Sequence, residues 1–310
     1  MRAWFATISM ILLALAMASA ATATAQTTPT ASAAPLRGVW IPQPAHTDFW
    51  RSPEDMKRHI AALHEAGINT ICVVVWNQGR TFYKSRTLKE LIGIEVDERM
   101  AGRDPLAEVV AAARPYNMRI YAWFEFGFAT DVNNGPGREI VQRKPHWVAR
   151  KSDGTPLIRN GFRWLNAFDA EVQDFMLALM MEVVAGYDIT GIQGDDRLPA
   201  CPGEGGYNDS VKTAYAFAHD GVAPPTNHKD LRSYEAELDK IVHRQVPKAL
   251  HHKVHPGLLL RLADGYAAPI ALVSTQVAAN TRAGVGGEVY FFNEGVMKNL
   301  TAIKAMYGRE

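Results

Sequence analysis

The amino-acid sequence predicts an α/β fold built on parallel strands, either an open sheet or a (β/α)8 barrel, and two observations lead to this prediction. Apolar, β-branched segments that are typical of strands alternate with amphipathic helical segments at intervals of roughly 35 residues, as in a parallel sheet or a (β/α)8 barrel. Three of the strand segments carry a tryptophan at or near their carboxyl end, and a polar loop follows each segment. Such folds bind ligands where the strands end at their carboxyl side, so we expect a site among these loops.

Six segments are predicted to be strands, which is fewer than a complete barrel requires. They are residues 36–41, 69–76, 119–126, 190–193, 257–262 and 288–292. Residues 197–257 contain no β-rich run long enough to supply the two further strands of an eight-stranded barrel. We therefore expect an incomplete barrel, either closed under strain or left open with exposed strand edges.

Helix starts are marked by capping residues. Ser52 precedes Pro53, and Asp104 precedes Pro105, so each pair predicts an N-cap followed by proline in the first turn. Asp169 precedes a run with apolar residues at helical spacing. Further helices are predicted at residues 211–218, 231–250, 269–282 and 295–306, whereas residues 127–165 are predicted to be irregular.

The amino terminus has the features of an export signal. Arg2 supplies a positive charge, residues 11–17 form an apolar run, and residues 23–25 provide a small-residue cleavage site. The run is too short to span a bilayer, so we expect an exported protein of the periplasm, cell envelope or exterior, without stable membrane insertion after cleavage. The expected divisions are a signal at residues 1–25, a disordered leader at 26–34 and one domain at 35–310.

The composition argues against several functional classes. The formal net charge is +1, so neither nucleic acid nor an anionic membrane surface is an expected partner. No glycine-rich phosphate loop lies between a strand and a helix, and His46 and Asp48 lack a third ligand at a suitable spacing, so we expect no cofactor and no metal. Cys72 lies in a strand segment and Cys201 in a loop, and we expect no disulfide between them.

Two adjacent carboxylates, Asp195 and Asp196, follow the fourth strand segment and precede a loop rich in glycine and proline. Adjacent like charges compete for solvation, so such a pair is costly unless it serves a ligand or a reaction. A helix N-cap or a solvated turn is the alternative interpretation. The position of the pair at a strand end makes it the first candidate for a functional site.

Several motifs occur in the order found in one protein family. They are Leu36-Arg-Gly-Val-Trp-Ile41, Trp76-Asn-Gln-Gly-Arg-Thr-Phe-Tyr-Lys-Ser85, Asp104-Pro-Leu106, Tyr121-Ala-Trp-Phe124, Trp164-Leu-Asn166 and Gly191-Ile-Gln-Gly-Asp-Asp-Arg197. Together they make residues 36–230 resemble the glycoside-hydrolase-like family 10, exported bacterial TIM-barrel proteins implicated in cleaving peptidoglycan glycan or other polysaccharides. The resemblance also implies that two strand–helix units between residues 197 and 257 are missing from this chain.

Hydrolysis of a glycosidic bond requires two carboxyl groups, one to protonate the leaving oxygen and one to attack or to activate water. Asp195 is the first choice as nucleophile or base, and Asp196 is expected to orient a neighbour or a sugar hydroxyl, because adjacent strand residues point to opposite sides. Glu125 is the expected acid, with a buried ion pair to an arginine, Arg163 or Arg197, as the alternative. Glu294 is a weaker candidate that could equally cap the last helix.

Aromatic and polar side chains at the strand ends are the expected sugar contacts. The flat rings of Trp40, Trp76 and Trp123 suit the apolar faces of sugars, although core packing is the alternative for each of them. The polar residues expected to reach sugar hydroxyls are Asn77, Tyr83, Asn166, Gln193 and Arg197, with Glu294 as a further contact.

Two functional interpretations follow from the sequence. The first is an exported glycoside hydrolase that acts on a polysaccharide, and the second is a non-catalytic carbohydrate-binding descendant of that family. The retained acidic pair favours the first, and the missing strands favour the second. A metal-dependent deacetylase is disfavoured because metal ligands are lacking.

Overall fold

The computed structural model describes residues 35–132, 135–194, 198, 202, 204–226, 257–261, 267–283 and 287–308. The predicted export signal and leader at residues 1–34 lie outside these ranges. So do the acidic pair with Arg197 and the helix expected at residues 231–250.

A mostly parallel sheet forms the centre of the domain. The strands are β1 (Leu36–Ile41), β2 (Thr70–Asn77), β3 (Arg80–Thr81), β4 (Arg119–Phe124), β5 (Ala129–Val132), β6 (Ile158–Arg159), β7 (Phe162–Trp164), β8 (Gly191–Gly194), β9 (Gly257–Leu259) and β10 (Gly287–Phe291). Six of them lie in the order β8-β4-β2-β1-β10-β9, and β3 pairs antiparallel with the end of β2. These six are the strands expected from the sequence, so the α/β prediction is confirmed.

The sheet is open within the described ranges. Its two ends are β8 and β9, which also flank residues 197–257, where the resemblance implies that two strand–helix units are missing. All the residues of β2, in the middle of the sheet, are buried, whereas those of β8 are partly or largely exposed. The expectation of an incomplete barrel is therefore confirmed in its open form.

The sheet is nevertheless strongly curled. The Nε1 of Trp40 on β1 donates a 2.7 Å hydrogen bond to Oε1 of Gln193 on β8, although β2 and β4 lie between these strands. Three strand spacings would separate the two strands by about 14 Å in a flat sheet. The side of the sheet that carries Trp40 and Gln193 is therefore concave, and we call it the concave face.

Several helices pack around the sheet. The helices of the described ranges are α1 (Pro53–Glu65), α2 (Arg86–Ile92), α3 (Pro105–Ala113), α4 (Arg138–Arg143), α5 (Ala170–Gly186), α6 (Asp209–Ala218), α7 (Ile270–Ala283), α8 (Asn293–Lys298) and α9 (Leu300–Met306). Ser52, Asp104 and Asp169 cap α1, α3 and α5 as predicted, each accepting a hydrogen bond from a backbone N–H in the first turn. The sequence did not predict α2, and the single closing helix that it predicted is divided at Asn299.

The packing between β2 and these helices supplies much of the core. Val73 and Val75 of β2 and Ile60 and Leu63 of α1 are completely buried. Each such side chain contributes about 1.5–3 kcal/mol through the removal of apolar surface from water. Cys72 is also buried and free, whereas Cys201 lies outside the described ranges.

Residues 127–165 correct the prediction of an irregular stretch. They contain α4 and a three-stranded antiparallel sheet in the order β5-β7-β6. We call this three-stranded sheet the wall. The turn between β6 and β7 consists of Asn160 and Gly161, both with positive φ, which is the geometry of a tight hairpin. The wall strands are two to four residues long, too short for an alternating pattern to be recognised in the sequence.

Candidate functional site

The carboxyl ends of β2 and β4 bring Asn77 and Glu125 together. Trp76 lies opposite Phe124 in the parallel register, so the residues that follow each of them are neighbours. The Asn77 Nδ2 donates a 2.6 Å hydrogen bond to Oε2 of Glu125, and Glu125 is only 8% exposed. A buried carboxylate requires such a donor because burial without one is costly. This pair is the centre of the candidate site.

A bulge in β2 determines which of its residues face the concave side. The register with β4 shifts between Val74 and Trp76, and a one-residue shift exchanges the two faces of a strand. Asn77 thereby aligns with Glu125, whereas Trp76 turns towards α5. Trp76 is completely buried, and its Nε1 donates to the Gly127 carbonyl at 2.8 Å. Trp76 is therefore a core residue, and we leave it out of the candidate site.

Both members of the pair are followed by a residue in the left-handed region. Gln78 has a φ of 49° and Phe126 a φ of 66°. A bulky aromatic residue in this region is rare, and backbone strain of this kind concentrates at functional sites. Sequence reasoning did not single out Phe126, because only glycine and asparagine signal a positive φ from sequence.

Trp40, Trp123 and Gln193 lie together on the concave face. The rings of Trp40 and Trp123 are 6.4 Å apart, and Gln193 lies opposite Trp123 in the register of β4 and β8. Gly257 on β9 leaves room for this cluster, since a Cβ at that position would lie 3.2 Å from the Trp40 ring. Trp40 is half-buried and Trp123 is buried, so Trp40 is the more accessible of the two indoles.

Two of the predicted sugar contacts, Tyr83 and Asn166, are buried in the protein instead. Tyr83 is completely buried, and its hydroxyl donates to the Leu179 carbonyl at 2.9 Å. Burial raises the pKa of Tyr83 well above its usual value. Asn166 is also completely buried: its backbone N–H donates to the Trp147 carbonyl at 2.6 Å, and its Oδ1 accepts from the Phe168 N–H at 3.3 Å. Neither side chain offers surface to a sugar, so both are left out of the candidate site.

Glu294 lies in the first turn of α8, just beyond the end of β10. Its carboxylate oxygens are buried and have no hydrogen-bond partner of ordinary geometry among the described residues. Burial raises the pKa of Glu294, and the nearby Thr47 hydroxyl partly opposes this shift. β10 is separated from β4 by β1 and β2, so Glu294 and Glu125 follow strands that are not neighbours in the sheet.

The remaining predicted residues, Asp195, Asp196 and Arg197, lie outside the described ranges, and their roles stay predictions. The described part of the chain contains no group of three or more histidine, cysteine, aspartate or glutamate residues that could hold a metal ion. None of the described helices is long and apolar enough to cross a membrane.

Comparison with known proteins identifies relatives among glycosyl hydrolases. The family model described as glycosyl hydrolase-like 10 matches residues 35–258. Glycosyl hydrolase DigH of Escherichia coli K12 is 26% identical over 199 residues, covering 54% of this chain and 43% of DigH. Glycosyl hydrolase YngK of Bacillus subtilis 168 is 27% identical over 177 residues, covering 52% of this chain and 32% of YngK. The chain thus spans less than half the length of either relative.

A solved structure agrees on the fold. The α-L-fucosidase isoenzyme 2 from Paenibacillus thiaminolyticus superimposes with a TM-score of 0.55 at 17% sequence identity, covering 88% of this chain and 49% of the fucosidase. At this identity the likeness concerns the fold alone. Because the family model covers well over half of the sequence, including every strand of the curled sheet except β10 and the last residue of β9, this glycoside-hydrolase-like chain belongs to the glycosyl hydrolase-like 10 family.

Proposed function

We propose that the protein is an exported glycoside hydrolase that cleaves a polysaccharide, with Glu125 as the general acid. The buried hydrogen bond between Asn77 and Glu125 is the observation that carries this proposal. It fixes a carboxyl group at the carboxyl end of a parallel strand, where the catalytic residues of such folds lie. The strained backbone at Phe126 supports the same location.

The second carboxyl group in this proposal is Asp195. In the sequence it directly follows β8, the strand that carries Gln193. Asp195 would act as nucleophile or base and Asp196 would orient a neighbouring group. A separation of about 5–5.5 Å between the two catalytic carboxyl groups would give retention of configuration, and about 6.5–9.5 Å would give inversion.

The concave face would bind the sugar in this scheme. Trp40 offers a half-buried indole and Gln193 a side-chain amide, and Arg197 is the expected charged contact for hydroxyls. Peptidoglycan glycan is the proposed substrate, because the predicted export signal would bring the protein to the cell wall. The family and the printed names of the relatives support glycoside hydrolysis in general.

Turnover of defined glycans by purified protein tests the proposal. We expect the wild type to release reducing ends from peptidoglycan glycan strands or from another polysaccharide of a test panel. Glu125→Gln and Asp195→Asn should each lower kcat by at least about 100-fold, since proton transfer and the second carboxyl group are both required. Unchanged thermal unfolding of the variants is the control, and wild-type turnover in either variant would contradict the assignment.

The alternative function is carbohydrate binding without catalysis. The open sheet favours it, because β8 and β9 leave the concave face without part of its rim among the described strands. Saturable glycan binding by the wild type with no product from any polysaccharide of the panel would support this alternative.

A further inference from the structure

An aromatic pair joins the end of β4 to the wall, beside the candidate site. The rings of Phe126 and Phe162 lie 4.7 Å apart at an angle of 42°, and both side chains are only half-buried. Phe126 directly follows Glu125, and Phe162 is the first residue of β7. Neither was singled out from the sequence, and the proposed hydrolysis does not depend on either of them.

The backbone conformation of Phe126 is strained, which points to a role for its side chain. Its φ of 66° lies in the region that glycine adopts without cost, and the next residue is a glycine that also has a positive φ. A phenylalanine in this conformation keeps a large ring close to Glu125 despite the backbone strain. Such strain persists where the surrounding structure imposes it, which is most often at a ligand site.

Phe162, whose ring faces that of Phe126, is held by strand pairing on both sides. It pairs with Arg159 across the tight Asn160–Gly161 turn, and it pairs with Val132 of β5 on its other side. Trp164, two residues later on the same face of β7, is buried, whereas Phe162 keeps part of its ring exposed. The wall therefore presents one ring at a fixed position next to the ring of Phe126.

We propose that Phe126 and Phe162 form a platform that binds the C–H face of a pyranose ring next to Glu125. Phenylalanine rings carry no hydrogen-bonding group, so they suit the apolar face of a sugar while its hydroxyls remain free for polar groups. This inference rests on the proposed function. It adds a stacking surface to that of Trp40, in place of Trp76, which is buried.

Glycan affinity of single variants tests this platform. Phe126→Leu and Phe162→Leu keep apolar volume but remove the flat ring, and each should raise the Kd for an oligosaccharide substrate about tenfold. If the protein turns the substrate over, KM should rise while kcat changes less than about twofold, as for binding that is equal in the ground and transition states. Phe217→Leu is the matched control, since Phe217 on α6 is 93% exposed and should bind glycan as the wild type does.

Phe126→Gly separates binding from folding. Glycine relieves the left-handed backbone, so this variant should keep a thermal midpoint close to that of the wild type while losing affinity. The platform is wrong if the leucine variants bind as tightly as the wild type. It is also wrong if affinity falls only in variants that unfold earlier, because the rings would then merely attach the wall to β4. Absence of glycan binding by the wild type would instead reject the proposed function.

Discussion

The contact between Asn77 and Glu125 depends on a single extra residue in β2. Without the bulge before Trp76, the indole would share the face of Glu125 and the amide would point towards the helices. The sequence therefore identified both polar residues as candidates but could not identify their partnership. Hydrophobic alternation gives the face of a strand only as far as the first bulge.

Asn77→Ala tests whether this contact positions Glu125. Removal of the donor leaves a buried carboxylate oxygen with one bond fewer, which should lower the free energy of unfolding by about 1–3 kcal/mol and reduce kcat/KM. Chemical denaturation and steady-state kinetics measure the two effects. Asn77→Asp places a second carboxylate against Glu125 and should be the more damaging variant. An Asn77→Ala enzyme with the kcat/KM of the wild type would contradict a positioning role.

Trp40 and Trp123 provide a matched pair of substitutions on the concave face. Trp40→Phe removes the hydrogen bond to Gln193 and should lower the free energy of unfolding by about 1 kcal/mol. Trp123→Phe should cost less, because the buried Nε1 of Trp123 has no hydrogen-bond partner among the described residues. Urea denaturation compares them, and an equal or larger loss for Trp123→Phe would refute this account of the hydrogen bond.

At the scale of the elements, the wall is attached through closely packed glycines. A Cβ on Gly137 would lie 2.3 Å from the Thr130 carbonyl oxygen, and one on Gly79 would lie 2.4 Å from the Gly137 Cα. Both glycines also have positive φ. Arg80 adds ion pairs to Glu98 and Glu139, the latter on α4. The loop after β2 and the wall therefore act as one support for the candidate site.

Gly137→Ala should destabilise this support more than Gly154→Ala does. Both positions have φ above 80°, so each alanine costs about 1–2 kcal/mol from the left-handed backbone. Gly154 has open space around it, whereas Gly137 adds the clash with Thr130. Thermal unfolding should rank Gly137→Ala as clearly the less stable variant. Equal midpoints would mean that the wall is not held by this contact.

The elements that the sequence predicted are those with long, repeated signals. The strand at Thr70–Asn77 is a continuous apolar run, and α5 has apolar residues at helical spacing over many turns. The wall escaped prediction because its strands are short and are defined by contacts between distant residues. The part of the candidate site that lies on the wall, Phe162 above all, was therefore not visible in the sequence.

At the scale of the whole molecule, the carboxyl and amino ends of the strands have different roles. The carboxyl end carries the candidate site, whereas the amino end carries a polar cluster of buried Glu288 and Tyr290 with half-buried Arg37 and Tyr307. The Tyr307 hydroxyl donates to Glu288, the Tyr290 and Tyr307 hydroxyls are 2.7 Å apart, and the Arg37 guanidinium lies 4.0 Å above the Tyr307 ring. This separation of chemistry from stability is typical of TIM-barrel folds.

Glu288 should make stability depend on pH. Burial raises the pKa of Glu288 above the usual value of 4.5. The folded protein therefore binds the proton more tightly than the unfolded chain, so the contribution of Glu288 is fully present below its unfolded pKa and is lost as pH rises through the folded pKa. Glu288→Gln should flatten the decline in unfolding free energy above pH 4.5, measured by urea denaturation at several pH values. The same decline in both proteins would exclude this group as its cause.

The central claim is that a sugar binds on the concave face beside Glu125, and tryptophan fluorescence tests it most directly. Titration of the Glu125→Gln variant with an oligosaccharide should change the tryptophan emission saturably, because Trp40 lies on that face. This variant is used because it should not consume the oligosaccharide during the titration. Adding Trp40→Phe should remove much of the change, whereas adding Trp147→Phe, at a buried indole packed 5.1 Å from Phe175, should preserve it. Binding that leaves the emission unaltered, or a signal that survives Trp40→Phe in full, would place the sugar elsewhere and contradict the account.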